Sequence, residues 1–499
     1  MLPDMPRSIP VVVDSHLRLD GNLIGHDLAN QIFDELTVVN TEKEFAKRSN
    51  RWGWEDLPDD FCLGWLDGDT VVMPRGYAFQ LKTLLREKGL RVQWEDRRRW
   101  HRGASLNGDG KLSLKPHQEV AVRKIIRHQQ GMYEAPTGAG KTVTCLGFLL
   151  KKLPGRTLIL VDQLGLLHQW RKEIARWTGM NIEDVGQIGD GKWKEGARIT
   201  VATAQTLHRR APEGEWFEQW DCVIVDECHH VQAETIQIIV GAFNAKYRLG
   251  VSATPDRKND KFEFALNVLG EVFHQDDEEE LREAGVLMRP TVRVVKTHFN
   301  AIYWGDHESD EDDRCQVPGC KLSGKRPHWH RNNYQNVKSA LVTDAARNYL
   351  IAETVAGELR APHHHLIVSD EVRQLEAIES AVVATLPGIP MFVMTGAVKG
   401  KKRAEMKAEI ESLPECIVFA TVAKEGMDVP AIDRIYLPFP TGNGKKVQQW
   451  IGRGTRIFEG KTDIVVFDFF DINVGVLKHQ FRGRRTGCYY PLNFEVDLG

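Results

Sequence analysis

Eight consecutive residues, Ala135-Pro136-Thr137-Gly138-Ala139-Gly140-Lys141-Thr142, constrain what this chain can fold into more than any other stretch of it. Glycines in such a run let successive backbone N–H groups turn inward around phosphate oxygens. A lysine neutralises those oxygens, and a hydroxyl at the start of a helix can hold magnesium. Thr137 to Thr142 contain all three parts. Ala135 stands where the general pattern has glycine, which removes none of the phosphate-contacting groups. A short β-prone run, Met132 to Glu134, leads into the loop, and Val143 to Leu150 can form the helix behind it. Strand, glycine loop and helix in that order belong to a parallel sheet, so an α/β fold is expected.

Further along, the apolar run Cys222-Val223-Ile224-Val225 ends in Asp226-Glu227-Cys228-His229. Two adjacent carboxylates at the carboxyl end of a parallel strand sit where such sheets place their ligands. One of the two can hold magnesium while the other polarises an attacking water. An acidic pair after a strand is weak evidence alone; behind a phosphate loop it gains weight, because phosphoryl transfer to water needs the metal and the positioned water together.

The rest of the chain reads as a frame for these two sites. At about 150 residues per domain, 499 residues suggest roughly three domains. Residues 1–111 read as a small mixed domain: Ile9 to Val13 and Thr70 to Met73 are β-prone, while Leu28, Ile32 and Leu36 and then Ala78, Leu81, Leu84 and Leu85 recur at helical spacing, the latter ended by Gly89. From 112 to 295, strands at Thr157 to Val161, Ile199 to Thr203, Cys222 to Val225 and Leu249 to Ser252 alternate with helical stretches. A second such series over 341–499 has strands at Leu366 to Ser369, Met391 to Met394, Ile417 to Thr421, Ile435 to Leu437 and Ile464 to Phe469. The alternation fails over 296–340, which reads as a linker carrying an insertion.

Apolar residues at 42% and charged residues at 27% exclude collagen-like and wholly disordered chains. No apolar run approaches the roughly 18 residues a membrane helix needs, and Met1 to Pro6 show no basic stretch followed by an apolar one, so neither a membrane partner nor a secretory signal is expected. Eight cysteines are too sparse for a disulfide framework, and the expected compartment is the cytoplasm. A formal charge of -3 gives no global pull on nucleic acid, so any such surface has to be a local patch.

At this point the motifs form a set that resembles superfamily 2 helicases and translocases. Lys115-Pro116-His117-Gln118 stands in the adenine-reading place, Ala135 to Thr142 as motif I, and Gln169-Trp170 at the end of motif Ia. Asp226 to His229 is a DExH box and Ser252-Ala253-Thr254-Pro255 motif III. Thr421, Gly426 and Asp428 fall in motif V, and Gln449 to Arg456 match the QxxGRxxR of motif VI. DECH in place of DEAD, and Gln449 where RNA-remodelling DEAD-box enzymes carry histidine, set the chain apart from that branch. It is similar instead to a DNA-directed group: the excision-repair helicase of the general transcription factor, phage branch-migration helicases, and the motor subunits of type I and III restriction enzymes. Thr37 to Asn40, Met73 to Gly76 and Asp96-Arg97 also resemble the small domain ahead of the motor in phage and repair members.

The resemblance implies two tandem RecA-like domains, ATP and Mg2+ as cofactors, and an ATP-dependent DNA helicase or translocase serving repair, recombination, phage replication or defence. Gln118 and Asp428 would join the nucleotide site, Lys141 and Glu227 would be catalytic, and Arg453 and Arg456 would supply transition-state charge from the second domain. DNA would be the partner, as a single strand in the motor groove and as duplex, forked or branched DNA on the accessory domain. An RNA helicase, or the motor subunit of a multi-protein nuclease complex, are the alternative readings.

Five weaker features remain. Cys315, Cys320, His328 and His330 follow a mostly acidic stretch and could bind one structural zinc, or belong to a disordered insertion. The run Arg97 to Arg102, with Trp100 inside it, is either a solvated linker or a phosphate-contacting strip of a substrate-selecting domain. His363-His364-His365 is expected as a solvated turn before a strand. Lys399, Lys401, Lys402 and Arg403, and the tail bases Lys478, Arg482, Arg484 and Arg485 around Phe481, serve either solubility or phosphate contact.

Overall fold

The central apolar runs become the central strands. In a computed structural model, residues 8–48, 54–106, 112–210, 212–228, 236–253, 260–300, 334–359, 363–395, 398, 400–421 and 429–499 are described. Contacts divide the chain into two units, Met1–Asp277 and Glu278–Gly499. Among the described residues no helix is long and apolar enough to cross a membrane.

The first unit begins with a five-stranded sheet in the order Trp65–Asp67, Thr70–Pro74, His16–Asp20, Ser8–Val13, Arg91–Asp96. Ile9, Val11, Leu17, Leu19, Val71 and Met73 alternate onto one face, which the period of two dictates, and share a core with Leu28, Ile32, Leu81, Leu84 and Leu85 of the helices His26–Glu35 and Ala78–Glu87. Gly89, at φ 73, ends the second helix in the left-handed region that a glycine enters without steric cost.

This small sheet does not close its core alone. Phe264, from the helix Asp260–Leu269, completes it. Two buried arginines join it to the next layer through backbone carbonyls. Arg75 donates to Asp14 O (3.1 Å) and Ala245 O (2.8 Å), and Arg248 to Ser15 O (2.9 Å), Gly241 O (3.1 Å) and Val268 O (3.2 Å). At Gly76 a Cβ would collide with the carbonyls of Leu266 and Asn267, so the residue has to be glycine for the two layers to approach.

Behind it lies an eight-stranded sheet in the order Lys192–Lys194, Gly186–Gly189, Ile199–Thr203, Thr157–Val161, Cys222–Asp226, Tyr247–Ser252, Gln130–Glu134, Val272–Gln275. All pairs are parallel except the terminal hairpin of Gly186–Gly189 with Lys192–Lys194. The strands Thr157–Val161, Ile199–Thr203, Cys222–Asp226 and Tyr247–Ser252 are buried along their whole length, as a parallel sheet covered on both faces requires.

The segment Arg97 to Arg102 is not a free linker. It is a strap lying against this sheet. Arg99 pairs in a β-bridge with Ala245, and Arg102 with Pro154. Trp100 packs edge-on against Tyr247 with ring centroids 5.1 Å apart. The guanidiniums are already matched: Arg97 to Glu95 (2.6 Å), Arg98 to Asp96 (2.7 Å), and Arg99 to the buried Asp221 at 3.6 Å. Asp221 also accepts from the backbone N–H groups of His101 (2.7 Å) and Arg156 (2.8 Å).

The second unit is built on a seven-stranded, all-parallel sheet in the order Met391–Met394, Cys416–Thr421, His364–Ser369, Arg434–Leu437, Val465–Asp471, Thr291–Thr297, Glu495–Asp497. Thr291–Thr297 straddles residue 295, and its side chains tie it to this sheet. The Thr297 hydroxyl donates to Asp471 (2.5 Å), a carboxylate that also holds the buried Arg347 at 2.7 Å.

One expectation is corrected here. The histidine run is not a solvated turn, because His364 and His365 open a fully buried strand. Each ring has a partner: His363 meets Asp433 at 2.8 Å, His364 the carbonyl of Ile410 at 3.0 Å, and His365 the hydroxyl of Tyr436 at 3.0 Å. Of the tail bases, Lys478 and Arg482 stay exposed and Arg484 does not. Phe481 is buried against Phe470, and Arg484 grips the buried Asp468 with two bonds of 2.9 and 2.8 Å. Cys315, Cys320, His328 and His330 lie outside the described residues, as do Lys399, Gly426 and Asp428.

Candidate functional site

The phosphate-loop segment folds as its residues dictate. The strand Gln130–Glu134 runs into residues 135–140, and the helix Lys141–Lys152 starts directly behind Gly140. Gly138 (φ 91) and Gly140 (φ 89) both take the left-handed conformation that only glycine adopts at no steric cost. Those turns bend the loop back on itself, with Ala139 N donating to Pro136 O at 3.1 Å, and the helix N-terminus adds its positive end behind it. A Cβ on Gly140 would run into the Gln118 amide, so the cradle has no room for another residue.

Gln118 is buried and belongs to the loop's support. Its Oε1 accepts from Lys115 N at 2.9 Å, capping its own helix Pro116–His128, and its Nε2 donates to Ala139 O at 3.2 Å. His117 Nε2 lies 3.0 Å from the same carbonyl. The expected adenine-reading residue is therefore also a clamp on the loop.

Asp226 ends its strand, 6% exposed. Its Oδ2 accepts from Trp170 Nε1 at 2.7 Å and its Oδ1 from Glu227 N at 3.0 Å. Burial, and after it the neighbouring Glu227 charge, pushes the carboxyl up to about 6, while Trp170 and Lys141 pull the other way. Glu227 sits at φ 45, in the left-handed region and without a glycine's freedom, a strain of about 1–3 kcal/mol of the kind that collects at functional sites. Its Oε2 accepts from Ala253 N at 3.3 Å and its Oε1 lies 3.7 Å from Lys141 Nζ, which also donates to Ala135 O at 3.2 Å.

The loop, the acidic pair and the Ser252-Ala253 segment thus meet at Glu227. Thr137, Gly138 and Thr142 are half-buried around the same point and Ala139 is buried. The hard oxygen donors of Thr142 and Asp226 suit magnesium, and the glycine cradle suits a polyphosphate. Sequence reading missed the Trp170 to Asp226 bond. Gln169-Trp170 was visible as a motif, but nothing in its spacing says that the indole N–H meets a carboxylate 56 residues away.

In the second unit the helix Gly444–Gly452 buries Val447, Trp450 and Ile451, leaving Gln449 and Arg453, four residues apart, on a shared half-buried face. Asn443 caps it by accepting from Lys446 N at 3.1 Å. Arg453 follows as its C-cap, and Arg456 is anchored by a β-bridge to Leu287.

A family model described as the type III restriction enzyme res subunit matches residues 111–257. The chain is 32% identical over 425 residues to the putative DNA 3'-5' helicase Rad25 of Halobacterium salinarum, covering 83% of this chain and 63% of that protein. It is 27% identical over 362 residues to the protein of the same name from Haloarcula marismortui, covering 70% of this chain and 51% of the relative. The chain resembles the DExH-type helicases of superfamily 2. The ATP-dependent DNA helicase uvsW of Enterobacteria phage T4 is 24% identical over 404 residues, covering 78% of this chain and 74% of that helicase. Against the two Rad25 relatives, this chain spans between about half and just under two thirds of their length.

Proposed function

We propose that the chain is an ATP hydrolase acting as an ATP-dependent DNA helicase or translocase. The observation that carries this reading is the convergence of Lys141 and the Ala253 N–H on Glu227, beside the buried Asp226, at the mouth of a glycine cradle. Bound Mg-ATP supplies the phosphoryl group and the metal charge at this site. The loop N–H groups and Lys141 bind and neutralise the phosphates, Thr142 and Asp226 hold the metal, and Glu227 orients the water and takes its proton. Gln118 reads the adenine edge while clamping the loop, so that base recognition and loop geometry depend on one side chain. Arg453, Arg456 and Asp428 contribute from the second unit, the arginines as transition-state charge.

In the same reading 1–111 is an accessory domain and two motor domains follow, the second of them beginning before Thr291–Thr297, whose strand lies in the second sheet rather than in a linker. The preference for DNA is supported by the names of the relatives, and by DECH and Gln449 in place of the RNA-directed pattern. Duplex, forked or branched DNA is the expected substrate, in repair, recombination, phage replication or defence. A cytoplasmic setting goes with the described cysteines, which are free thiols. A structural zinc on Cys315, Cys320, His328 and His330 is supported by spacing alone, and elemental analysis of the dialysed protein decides it. The test of the function is conversion of a labelled fork or four-way junction. Separation or rewinding by the wild-type chain with ATP, absent in Lys141→Ala and with a non-hydrolysable analogue, bears the reading out. Equal action without ATP contradicts it.

A further inference from the structure

Main-chain anchors of the loop carrying Arg453 and Arg456 include Arg453 N to Trp450 O at 3.3 Å, Gly454 N to Ile451 O at 2.9 Å, Met288 N to Thr455 O at 2.9 Å, and the Leu287 bridge. Two of its carbonyls, Gly454 O and Arg456 O, turn instead toward one ammonium. Lys461 Nζ donates to Arg456 O at 3.1 Å and to Gly454 O, and on its other side to Ile432 O at 2.6 Å and Pro430 O at 3.2 Å. No carboxylate is among these four acceptors.

Four carbonyls around three N–H donors form the cage of a bound cation, held here by the chain's own side chain. The charges facing it are Asp433 and Arg434, where the strand Arg434–Leu437 begins, and Asp463 in the loop beyond. Burial draws the ammonium down to about 8, so a cation is kept where its own desolvation opposes it. A lysine wanted only for solubility would point into water. A lysine wanted only for packing would be replaced without loss by an apolar stem.

We propose that Lys461 is a positioning residue for motif VI. Its ammonium fastens the 453–456 loop to the Pro430–Ile432 turn and thereby sets where the guanidiniums of Arg453 and Arg456 point. The inference rests on the reading of those arginines as transition-state charges. Their effect depends on placement, and misplacement by about 1 Å can cost on the order of a hundredfold in rate.

The test uses the full chain and Lys461→Ala, which leaves a slot the length of a propylammonium ion. DNA-stimulated ATP turnover and amide hydrogen exchange over residues 453–457 are measured with propylammonium or with tetramethylammonium, which has no N–H to donate. The expected result is a kcat lowered about 10- to 100-fold with KM within about threefold, faster exchange in the loop, and partial recovery of both with propylammonium alone. An unchanged kcat, unchanged exchange, or a loss that both ions relieve equally overturns the proposal. If the wild-type chain itself shows no DNA-stimulated turnover, the helicase reading fails, and the exchange arm still decides whether the ammonium holds the loop. Should Lys461→Ala not fold, Lys461→Met keeps the stem without donors and has to show the same kcat loss and loop exchange. Wild-type values in it overturn the inference.

Discussion

At the scale of single residues, the site depends on side chains whose chemistry is set by what they touch. Glu227→Gln keeps the shape and removes the base, so stimulated ATP turnover falls by on the order of a hundredfold or more while nucleotide binding persists; a nucleotide-binding titration beside a turnover assay checks both. Trp170→Phe leaves Asp226 buried without its indole donor, which costs about 1–3 kcal/mol of stability in urea unfolding. A third prediction concerns His365, buried and held down to about 3 by its burial. The unfolded chain takes up a proton near 6.5 that the folded one refuses, so this group makes stability fall as pH drops from about 6.5 towards 3. His365→Phe keeps the ring beside Tyr436 and flattens that slope in pH-dependent unfolding; an unaltered slope removes His365 as its source. The phosphate loop was legible because its chemistry is local: glycines, lysine and hydroxyl act within eight residues. Trp170, Lys461 and the histidine run were not, since their partners are brought to them by the sheet.

At the scale of elements, the continuously apolar strands could be read from the sequence and the charged ones could not. Thr157–Val161 and Cys222–Asp226 are buried on both faces and so are continuously apolar, whereas Lys192–Lys194, Arg91–Asp96 and Glu495–Asp497 are edge strands with charged, exposed residues. The strap shows the same limit. Arg97 to Arg99 read as unpaired charge until Glu95, Asp96 and Asp221 are found opposite them. Asp221→Ala removes the acceptor of the His101 and Arg156 N–H groups and is expected to lower stability by about 1–3 kcal/mol, read by denaturant midpoint, with no specific loss of DNA affinity. Removal of residues 1–105 would bare Phe264 and strip Arg248 of one carbonyl, that of Ser15, so the truncated chain is expected to be destabilised as a whole. A truncated chain with the full chain's unfolding midpoint would show the small sheet to be a detachable module.

At the scale of the whole molecule, the proposed function draws on residues of both units. The first holds the phosphate cradle with Asp226 and Glu227, and the second the loop of Arg453 and Arg456, fastened by Lys461. The tandem α/β plan was legible because two series of apolar runs alternate with helices. The placement of Thr291–Thr297 in the second sheet was not, because that strand mixes Arg293 and Lys296 with its valines. The most direct measurement is the ATP turnover of the purified full chain with no nucleic acid, with single-stranded, duplex, forked and four-way DNA, and with RNA. The account predicts stimulation by DNA, strongest with a forked or branched form and lost in Arg453→Ala; turnover indifferent to DNA, or raised by RNA alone, would contradict it.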